Sequence, residues 1–141
     1  MKICIVNGPN LNLLGTREPD VYGPTSFSHY LDDLRERYAN QEISYFQSNH
    51  EGELIDHLHE MGFSAHGIIL NAGALSHYSY SLADAISAIK SPVIGVHISN
   101  IYARETFRHT DVLSSRCAGV ISGLGLQGYE MALQFLLQRS V

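Results

Sequence analysis

Residues 2–12 read KICIVNGPNLN, and they give the clearest indication of the fold. Residues 3–6 form an apolar run rich in β-branched side chains, the pattern of one buried strand. Three asparagines follow that run, together with a Gly-Pro pair typical of turns. An apolar strand that leads directly into polar residues predicts a parallel sheet whose carboxyl edge binds a ligand.

The same alternation continues along the chain and predicts an α/β fold. Strands are predicted at residues 2–6, 42–47, 67–70, 93–97 and 118–122. Apolar residues at helical spacing predict helices at residues 27–38, 54–61, 82–89 and 129–137. We therefore expect one flavodoxin-like domain over residues 1–141, a five-stranded parallel sheet of order 2-1-3-4-5 with helices on both faces.

Capping residues refine the ends of three of these helices. Thr25 or Ser26 is placed to cap the first helix at its N-terminus. Gly62 is placed to end the second helix in a left-handed conformation, and Pro92 to close off the third.

Composition narrows the function class. The net charge of −5, with scattered Lys and Arg, offers no basic face for nucleic acid. The apolar run at the start is too short for a signal peptide, and no run approaches the length that spans a membrane. Cys4 and Cys117 lie in apolar segments, as small buried thiols do, so we expect a cytoplasmic protein.

Polar residues follow four of the predicted strands, at what would be one edge of the sheet. They are mainly amides, imidazoles and hydroxyls, with few carboxylates and lysines: Asn7, Asn10, Asn12, Gln47, Ser48, Asn49, His50, Glu51, Asn71, Ser76, His77, His97, Ser99 and Asn100. A single asparagine after a strand is more often a turn former, but the combination favours a binding site. Its composition suits a hydroxylated ligand with one or two anionic groups rather than ATP and Mg²⁺.

Residues 15–23 make a connection longer than a usual βα loop and bracketed by glycines, which suggests a mobile lid. Arg17 and Tyr22 lie within it. A guanidinium beside a phenol lowers a pKa that starts near ~10, so Tyr22 is a candidate general base. The alternative is an Arg in solvent and a Tyr that only packs.

His97 ends the fourth predicted strand and is a candidate acid for protonating a leaving hydroxyl. The alternative is a histidine that only satisfies polar groups at the strand end. The backbone amides of the residues that follow it, Ile98 and Ser99, are candidates for receiving a carboxylate. Arg104 and Arg108 lie four apart in what we predict to be one short helical turn. That spacing fits an anion clamp and a solvated face equally well.

Two other patterns do not indicate a cofactor. Residues 123–128 fit Gly-x-Gly-x-x-Gly, but they follow the last predicted strand and no acidic residue comes about twenty residues later to bind a ribose. We expect these glycines to permit close helix–sheet packing instead. No pair among the eight histidines forms a zinc motif, and His57 and His59 diverge on a helix. We expect neither metal nor cofactor.

Several motifs together resemble the type II 3-dehydroquinate dehydratase family. They run in order through most of the chain, at residues 7–15, 17–19, 22–23, 47–54, 71–74, 97–100, 103–105 and 107–109. The resemblance implies a hydro-lyase that converts 3-dehydroquinate to 3-dehydroshikimate, in the shikimate route to chorismate and the aromatic amino acids. The elimination would be anti and would pass through an enolate, without metal or cofactor.

The resemblance also implies a role for each site residue. Tyr22 would be the base, with Arg17 lowering its pKa, and Asn10 would help to hold a water against the enolate oxygen. His97 would protonate the departing hydroxyl. Substrate binding would fall to Asn71, His77, Ile98, Ser99, Arg108 and, from a neighbouring subunit, Asp84. The family usually assembles trimers into a dodecamer.

One departure from the family concerns the proposed acid. The family normally has a glutamate two residues before the histidine, where this chain has Gly95. Residues 95 and 97 of a strand point to the same side, so that carboxylate would support the imidazole. We therefore expect a slower elimination unless Glu18, Glu105 or a water substitutes, and a faster one in Gly95→Glu. Gly95 also keeps open a non-catalytic binding or regulatory module; a flavin- or nucleotide-binding protein is the third interpretation.

Overall fold

The structure is a computed structural model and describes residues 1–16 and 26–139. Five parallel strands form one sheet in the order 2-1-3-4-5, as predicted. They are β1 (Lys2–Asn7), β2 (Glu42–Gln47), β3 (Gly67–Asn71), β4 (Val93–His97) and β5 (Gly119–Ser122). The helices are α1 (Phe27–Arg37), α2 (Glu51–Met61), α3 (Tyr80–Ala88) and α4 (Gln127–Gln138).

Alternating side chains of the central strands bury two separate cores, one on each face of the sheet. Ile3 and Ile5 of β1 face α1 and α4, whereas Cys4 and Val6 face α2 and α3. The near-continuous apolar strands follow from this arrangement, since helices cover both faces of a parallel sheet.

Strand register brings the last residues of the strands to one edge of the sheet. Asn7 of β1 pairs with Gln47 of β2 and with Asn71 of β3, and His97 of β4 pairs with Ser122 of β5. Polar residues that are far apart in the sequence are therefore neighbours, which is the basis of the site.

Helix α1 begins and ends close to its predicted bounds. The Ser26 hydroxyl accepts a hydrogen bond from the His29 backbone N–H, 3.2 Å away, so Ser26 is the cap that the sequence suggested. Helix α3 ends at Ala88, one residue short of the prediction, because Ile89 is already extended (φ −95°, ψ 163°). Strand β5 likewise begins at Gly119, one residue later than predicted.

The prediction for Gly62 is wrong. Its φ of −70° and ψ of −5° are right-handed, a conformation open to any residue. A Cβ at this position would lie 2.4 Å from the Ile89 Cβ and 2.5 Å from the Leu58 carbonyl oxygen. Glycine is therefore required here by the close approach of the segment after α3 rather than by backbone conformation.

The predicted single turn carrying both arginines is also wrong. Two 3₁₀ turns, Ile101–Ala103 and Thr106–His109, replace it, and Arg104 lies between them in an extended conformation. Both guanidinium groups nevertheless line the same pocket.

Candidate active site

A pocket opens at the carboxyl edge of the sheet, where the predicted site residues were expected to meet. It lies beyond β1, β3 and β4, with the 3₁₀ turns that follow β3 and β4 as its walls. Its lining consists of Pro9, Asn10, Leu11, Asn71, Gly73, Ala74, His77, His97, Ile98, Ser99, Ile101, Arg104 and Arg108. Seven of the ten residues predicted for the site are in this set. Asp84 is not in it, and Arg17 and Tyr22 lie outside the described residues.

His97 lines the pocket and is held there by a contact that the sequence did not reveal. Its Nε2 lies 2.7 Å from Oδ2 of Asp111, and the two side chains are only 7% and 9% exposed. Asp111 comes from the segment before the 3₁₀ turn Ser114–Arg116. The expectation that His97 lacks a carboxylate partner unless Glu18, Glu105 or a water supplies one is thus corrected by Asp111.

Asp111 is held from its other side as well. The Leu113 backbone N–H donates to Asp111 Oδ1 at 2.9 Å, and the Ser114 hydroxyl donates to the Asp111 carbonyl oxygen at 2.8 Å. Burial by itself would raise the pKa of the Asp111 carboxyl, but the hydrogen bond and charge of His97, with the Leu113 N–H, outweigh it and lower that pKa. Asp111 is therefore an ionised carboxylate near neutral pH.

His77 lies next to His97, with ring centroids 6.2 Å apart and planes within 16° of parallel. Its Nδ1 is 2.7 Å from the carbonyl oxygen of Thr110, the residue before Asp111. A carbonyl oxygen only accepts, so Nδ1 carries the proton and Nε2 is the nitrogen available to a ligand. His77 Nε2 could therefore accept a hydrogen bond from a ligand hydroxyl.

Arg104 and Arg108 give the pocket its positive charge. The Arg108 Nε donates to Glu105 Oε1 at 2.9 Å, and its guanidinium lies 4.8 Å from the centre of the Phe107 ring. The hydrogen bond from Arg108 lowers the pKa of the exposed Glu105 carboxyl. Arg104 donates to the Ser99 hydroxyl at 3.2 Å. Both side chains are about five-sixths buried (15% and 17% exposed), so their charge acts on a pocket ligand more strongly than surface charge would.

Residues 98 and 99 are fixed by hydrogen bonds to their carbonyl groups. The Gly125 N–H donates to the Ile98 oxygen at 3.0 Å, and the Ser122 hydroxyl donates to the Ser99 oxygen at 3.3 Å. Gly125 has a φ of +62°, a conformation that favours glycine, so the glycine-rich segment serves this turn as well as the packing of Gly128 on Val96.

Asn10 lies at the opposite wall in the left-handed region, with a φ of 70°. Asparagine tolerates that conformation better than most residues. Its backbone N–H donates to the Asn49 side-chain oxygen at 3.0 Å, and that oxygen also accepts from Gln47 Nε2 at 3.2 Å. Residues after β2 thus hold Asn10 at the pocket and leave its side chain exposed.

Asn71 belongs to a buried hydrogen-bond network beneath the pocket. Its Nδ2 donates to the Tyr129 hydroxyl at 2.9 Å, that hydroxyl donates to Asn7 Oδ1 at 2.7 Å, and Asn7 Nδ2 donates to the Tyr45 hydroxyl at 3.3 Å. Asn71 Oδ1 accepts from the Gly73 N–H at 3.1 Å. One N–H of the Asn71 amide is left for a ligand.

Three predicted residues stand apart from this geometry. Arg17 and Tyr22 lie outside the described residues, as does the rest of the predicted lid from residue 17 to residue 23. Asp84 is exposed on α3 and is not part of the pocket of its own chain. Its assignment depends on a second subunit and stays a prediction.

His57 and His59, on α2, lie outside the pocket. His57 stacks on Phe46 with ring centroids 4.2 Å apart and lies 3.4 Å from the Cys4 sulfur, whereas His59 is exposed. They diverge as predicted. Within residues 1–16 and 26–139 no three His, Cys, Asp or Glu side chains are grouped to hold a metal ion. The helices described there are all too short or too polar to cross a membrane.

The fold and the pocket together define a flavodoxin-like α/β protein with an acid–base site for a small anionic ligand. Sequence and structure comparisons narrow this class. The model of the family described as dehydroquinase class II matches residues 1–137. A 3-dehydroquinate dehydratase of Exiguobacterium is 53% identical over 98% of this chain and 95% of its own length, and one of Bacillus subtilis is 49% identical over 96% and 93%.

A solved structure agrees with these relatives. The crystal structure of a type II dehydroquinase from Butyrivibrio crossotus superposes with a TM-score of 0.94 at 44% identity and covers 98% of each chain. The chain belongs to the class II dehydroquinase family, and it is accordingly an enzyme of the hydro-lyase class.

Proposed function

We propose that the pocket at the carboxyl edge dehydrates 3-dehydroquinate to 3-dehydroshikimate, a step of the shikimate pathway, by an anti elimination through an enolate. The observation that carries the proposal is the pairing of an oriented imidazole, His97, with two largely buried guanidinium groups in one pocket. An elimination from an anionic hydroxy-ketone needs both of these features: a proton donor for the leaving hydroxyl and a positive site for the carboxylate.

The elimination needs a base that removes a proton and an acid that protonates the leaving hydroxyl. In this scheme Tyr22, with Arg17 lowering its pKa, is the base that removes a proton from the carbon next to the ketone, and the electron pair of that C–H bond forms the enolate. Asn10, which lines the pocket, helps to hold a water against the enolate oxygen. The enolate then collapses, the C–O bond of the β-hydroxyl breaks, and the hydroxyl leaves as water with a proton from His97.

Substrate binding uses the polar wall around His97. The carboxylate lies at the backbone amides of Ile98 and Ser99, with Arg108 close by. The hydroxyl groups contact Asn71 and His77. After its hydrogen bonds within the protein, Asn71 has one side-chain N–H left for the substrate and His77 has Nε2. No metal or cofactor is needed for this scheme, because imidazole, phenol and oriented amides provide every proton and charge that it uses.

We further propose that the chain works as trimers assembled into a dodecamer, with Asp84 of the partner subunit reaching the pocket. The support is a pair of exposed aromatic side chains near Asp84 in the sequence: Tyr78, two residues before α3, and Tyr80, its first residue, are 62% and 72% exposed. Exposed aromatic side chains of this size are typical of interfaces. A cytoplasmic location is also proposed, supported by the free thiols Cys4 and Cys117.

Ultraviolet absorbance after mixing with 3-dehydroquinate tests the reaction, since elimination creates an enone conjugated with a carboxylate. We expect a rise with the parent chain, no rise with Tyr22→Phe, and a rise with the control Tyr102→Phe, whose side chain is exposed. Calorimetric titration with the substrate accompanies it. Binding without any rise in absorbance would refute the enzyme and favour the binding-module alternative. Light scattering at the elution peak measures the assembly.

A further inference from the structure

Asp111 is the hydrogen-bond partner that determines which nitrogen of the His97 ring carries a proton. The two side chains meet across fourteen residues of sequence and are almost entirely buried. Each oxygen of the Asp111 carboxylate has its own donor, the Leu113 N–H for Oδ1 and the imidazole for Oδ2. The segment that carries Asp111 is fixed in turn, because the Val112 N–H donates to the Ser76 carbonyl oxygen at 2.8 Å. The carboxylate is therefore preorganised before any substrate enters.

The contact distinguishes the two ring nitrogens. An ionised carboxylate only accepts hydrogen bonds, so Nε2 of His97 carries a proton in both the neutral and the charged ring. Nδ1 makes no hydrogen bond to residues 1–16 or 26–139. The proton that moves during the reaction is thus the one on Nδ1.

We propose that Asp111 is the positioning residue of the reaction: it holds the His97 ring with Nε2 protonated and leaves Nδ1 to protonate the departing hydroxyl. This rests on the proposed function for the elimination itself. Asp111 does not touch the substrate, since it is absent from the lining of the pocket, and it acts only through the imidazole.

Gly95 offers an independent way to examine the same interaction. It lies two residues before His97 on β4, so its Cα–H points to the same side as the imidazole. A Cβ added there would contact the Val120 Cγ2 at 3.5 Å and the Cys117 sulfur at 3.6 Å, both ordinary packing distances. Burial, and then the charge of Asp111, raise the pKa of that Cys117 thiol to about 12, so Asp111 is near the same place. A carboxylate on residue 95 would therefore enter the surroundings of Asp111.

The first test is a cycle of four chains: the parent, Asp111→Asn, Gly95→Glu and the double variant. For Asp111→Asn we expect kcat to fall by at least about 10- to 100-fold with little change in KM, by analogy with the loss that follows removal of the carboxylate behind a metal-binding histidine. In that background Gly95→Glu should restore part of kcat. In the parent it should not increase kcat, because a second carboxylate next to Asp111 is repelled by it.

The matched control is Asp33→Asn. Asp33 also pairs with a histidine, His29, at 3.5 Å, but on the exposed face of α1 with side chains 50% and 70% exposed. This variant makes the same chemical change at a histidine–aspartate pair and should leave kcat unaltered. An Asp111→Asn chain as fast as the parent, or a slow one that Gly95→Glu does not improve, overturns the assignment.

The second test needs no turnover. In ¹⁵N spectra of the histidine rings, with His97 assigned by its absence from His97→Gln, we expect Nε2 to be protonated and Nδ1 unprotonated in the neutral ring. A downfield Nε2 proton should be present in the parent and missing in Asp111→Ala. An unprotonated Nε2 contradicts the inference, whereas a parent chain that shows this signature but does not dehydrate 3-dehydroquinate contradicts the proposed function alone.

Discussion

Two regions at the same edge of the sheet bury polar groups in different ways. The Asn7–Tyr129–Asn71 network beneath the pocket uses neutral groups only, each hydrogen-bonded to the next. The His97–Asp111 pair at the pocket uses an ionisable base against a carboxylate. The comparison shows that neutral networks suit a scaffold, because nothing in them titrates, whereas a charged pair costs more to bury but can hold and transfer a proton.

The network explains how β1 and β3 end at the same level. Asn7 and Asn71 are register partners, and the Tyr129 hydroxyl from α4 bonds to both. Tyr129 is fully buried, and that burial raises the pKa of its phenol far above the ordinary value, so it stays neutral. Its ring also packs edge-on against Phe27, with centroids 4.9 Å apart. The pocket floor is therefore built by polar bonds within an apolar core.

The largest effect that separates the two regions is expected at His97. His97→Gln keeps an N–H that can donate to Asp111 but has no transferable proton, so kcat should fall by about 10²- to 10⁴-fold. The unfolding midpoint should change little, because the buried carboxylate keeps its partner. Stopped-flow absorbance and thermal melts measure the two quantities. A variant that loses its fold together with its activity would show that the pair is structural.

The second largest effect is expected in the network, where a substitution should lower stability and leave the rate almost unchanged. Tyr129→Phe removes one hydroxyl and leaves Asn7 Oδ1 and one Asn71 N–H buried without a partner. A buried polar group left unpaired costs about 1–3 kcal/mol, so the free energy of unfolding should fall by at least that amount. The rate per folded molecule should stay close to that of the parent. Urea unfolding measures the loss, and Tyr102→Phe, at an exposed tyrosine, serves as its control.

The sequence predicts the fold well because its signals are local. Four apolar runs of β-branched residues and the capping hydroxyl of Ser26 each predict an element within a residue or so of its bounds. Gly62 shows where local signals end. Its neighbour Ile89 comes from the segment that follows α3, so the reason for glycine lies in tertiary packing that no motif records.

The same limit of local signals explains which site residues could be predicted from the sequence. Seven of the predicted residues meet in the pocket, because the carboxyl ends of parallel strands bring them there whatever lies between. Asp111 follows no strand and is part of no helix, so neither periodicity nor position relative to the sheet indicates where its side chain points. The only sequence signal was indirect: a histidine with Gly95, rather than a carboxylate, behind it needs another partner.

The smallest effect, and the one that separates the regions most sharply, is in the pH dependence of stability. Asp111 has a lowered pKa in the folded chain, so its interactions stabilise the fold above the ordinary pKa of an aspartate and are lost as pH falls through the folded value. We therefore expect the stability difference between the parent and Asp111→Asn to shrink as pH is lowered from about 5 to about 3, since aspartates ordinarily titrate near ~3.9.

Tyr129→Phe should behave differently over the same range, because no group of its network gains or loses a proton there. Its deficit relative to the parent should be the same at every pH, while that of Asp111→Asn declines. Urea unfolding of the three chains at each pH measures both deficits against one reference, so the acid sensitivity common to all carboxylates cancels. Parallel declines would mean that ionisation of Asp111 is not what distinguishes the two regions. A decline for Asp111→Asn alone would assign the titrating part of the site to the carboxylate behind His97.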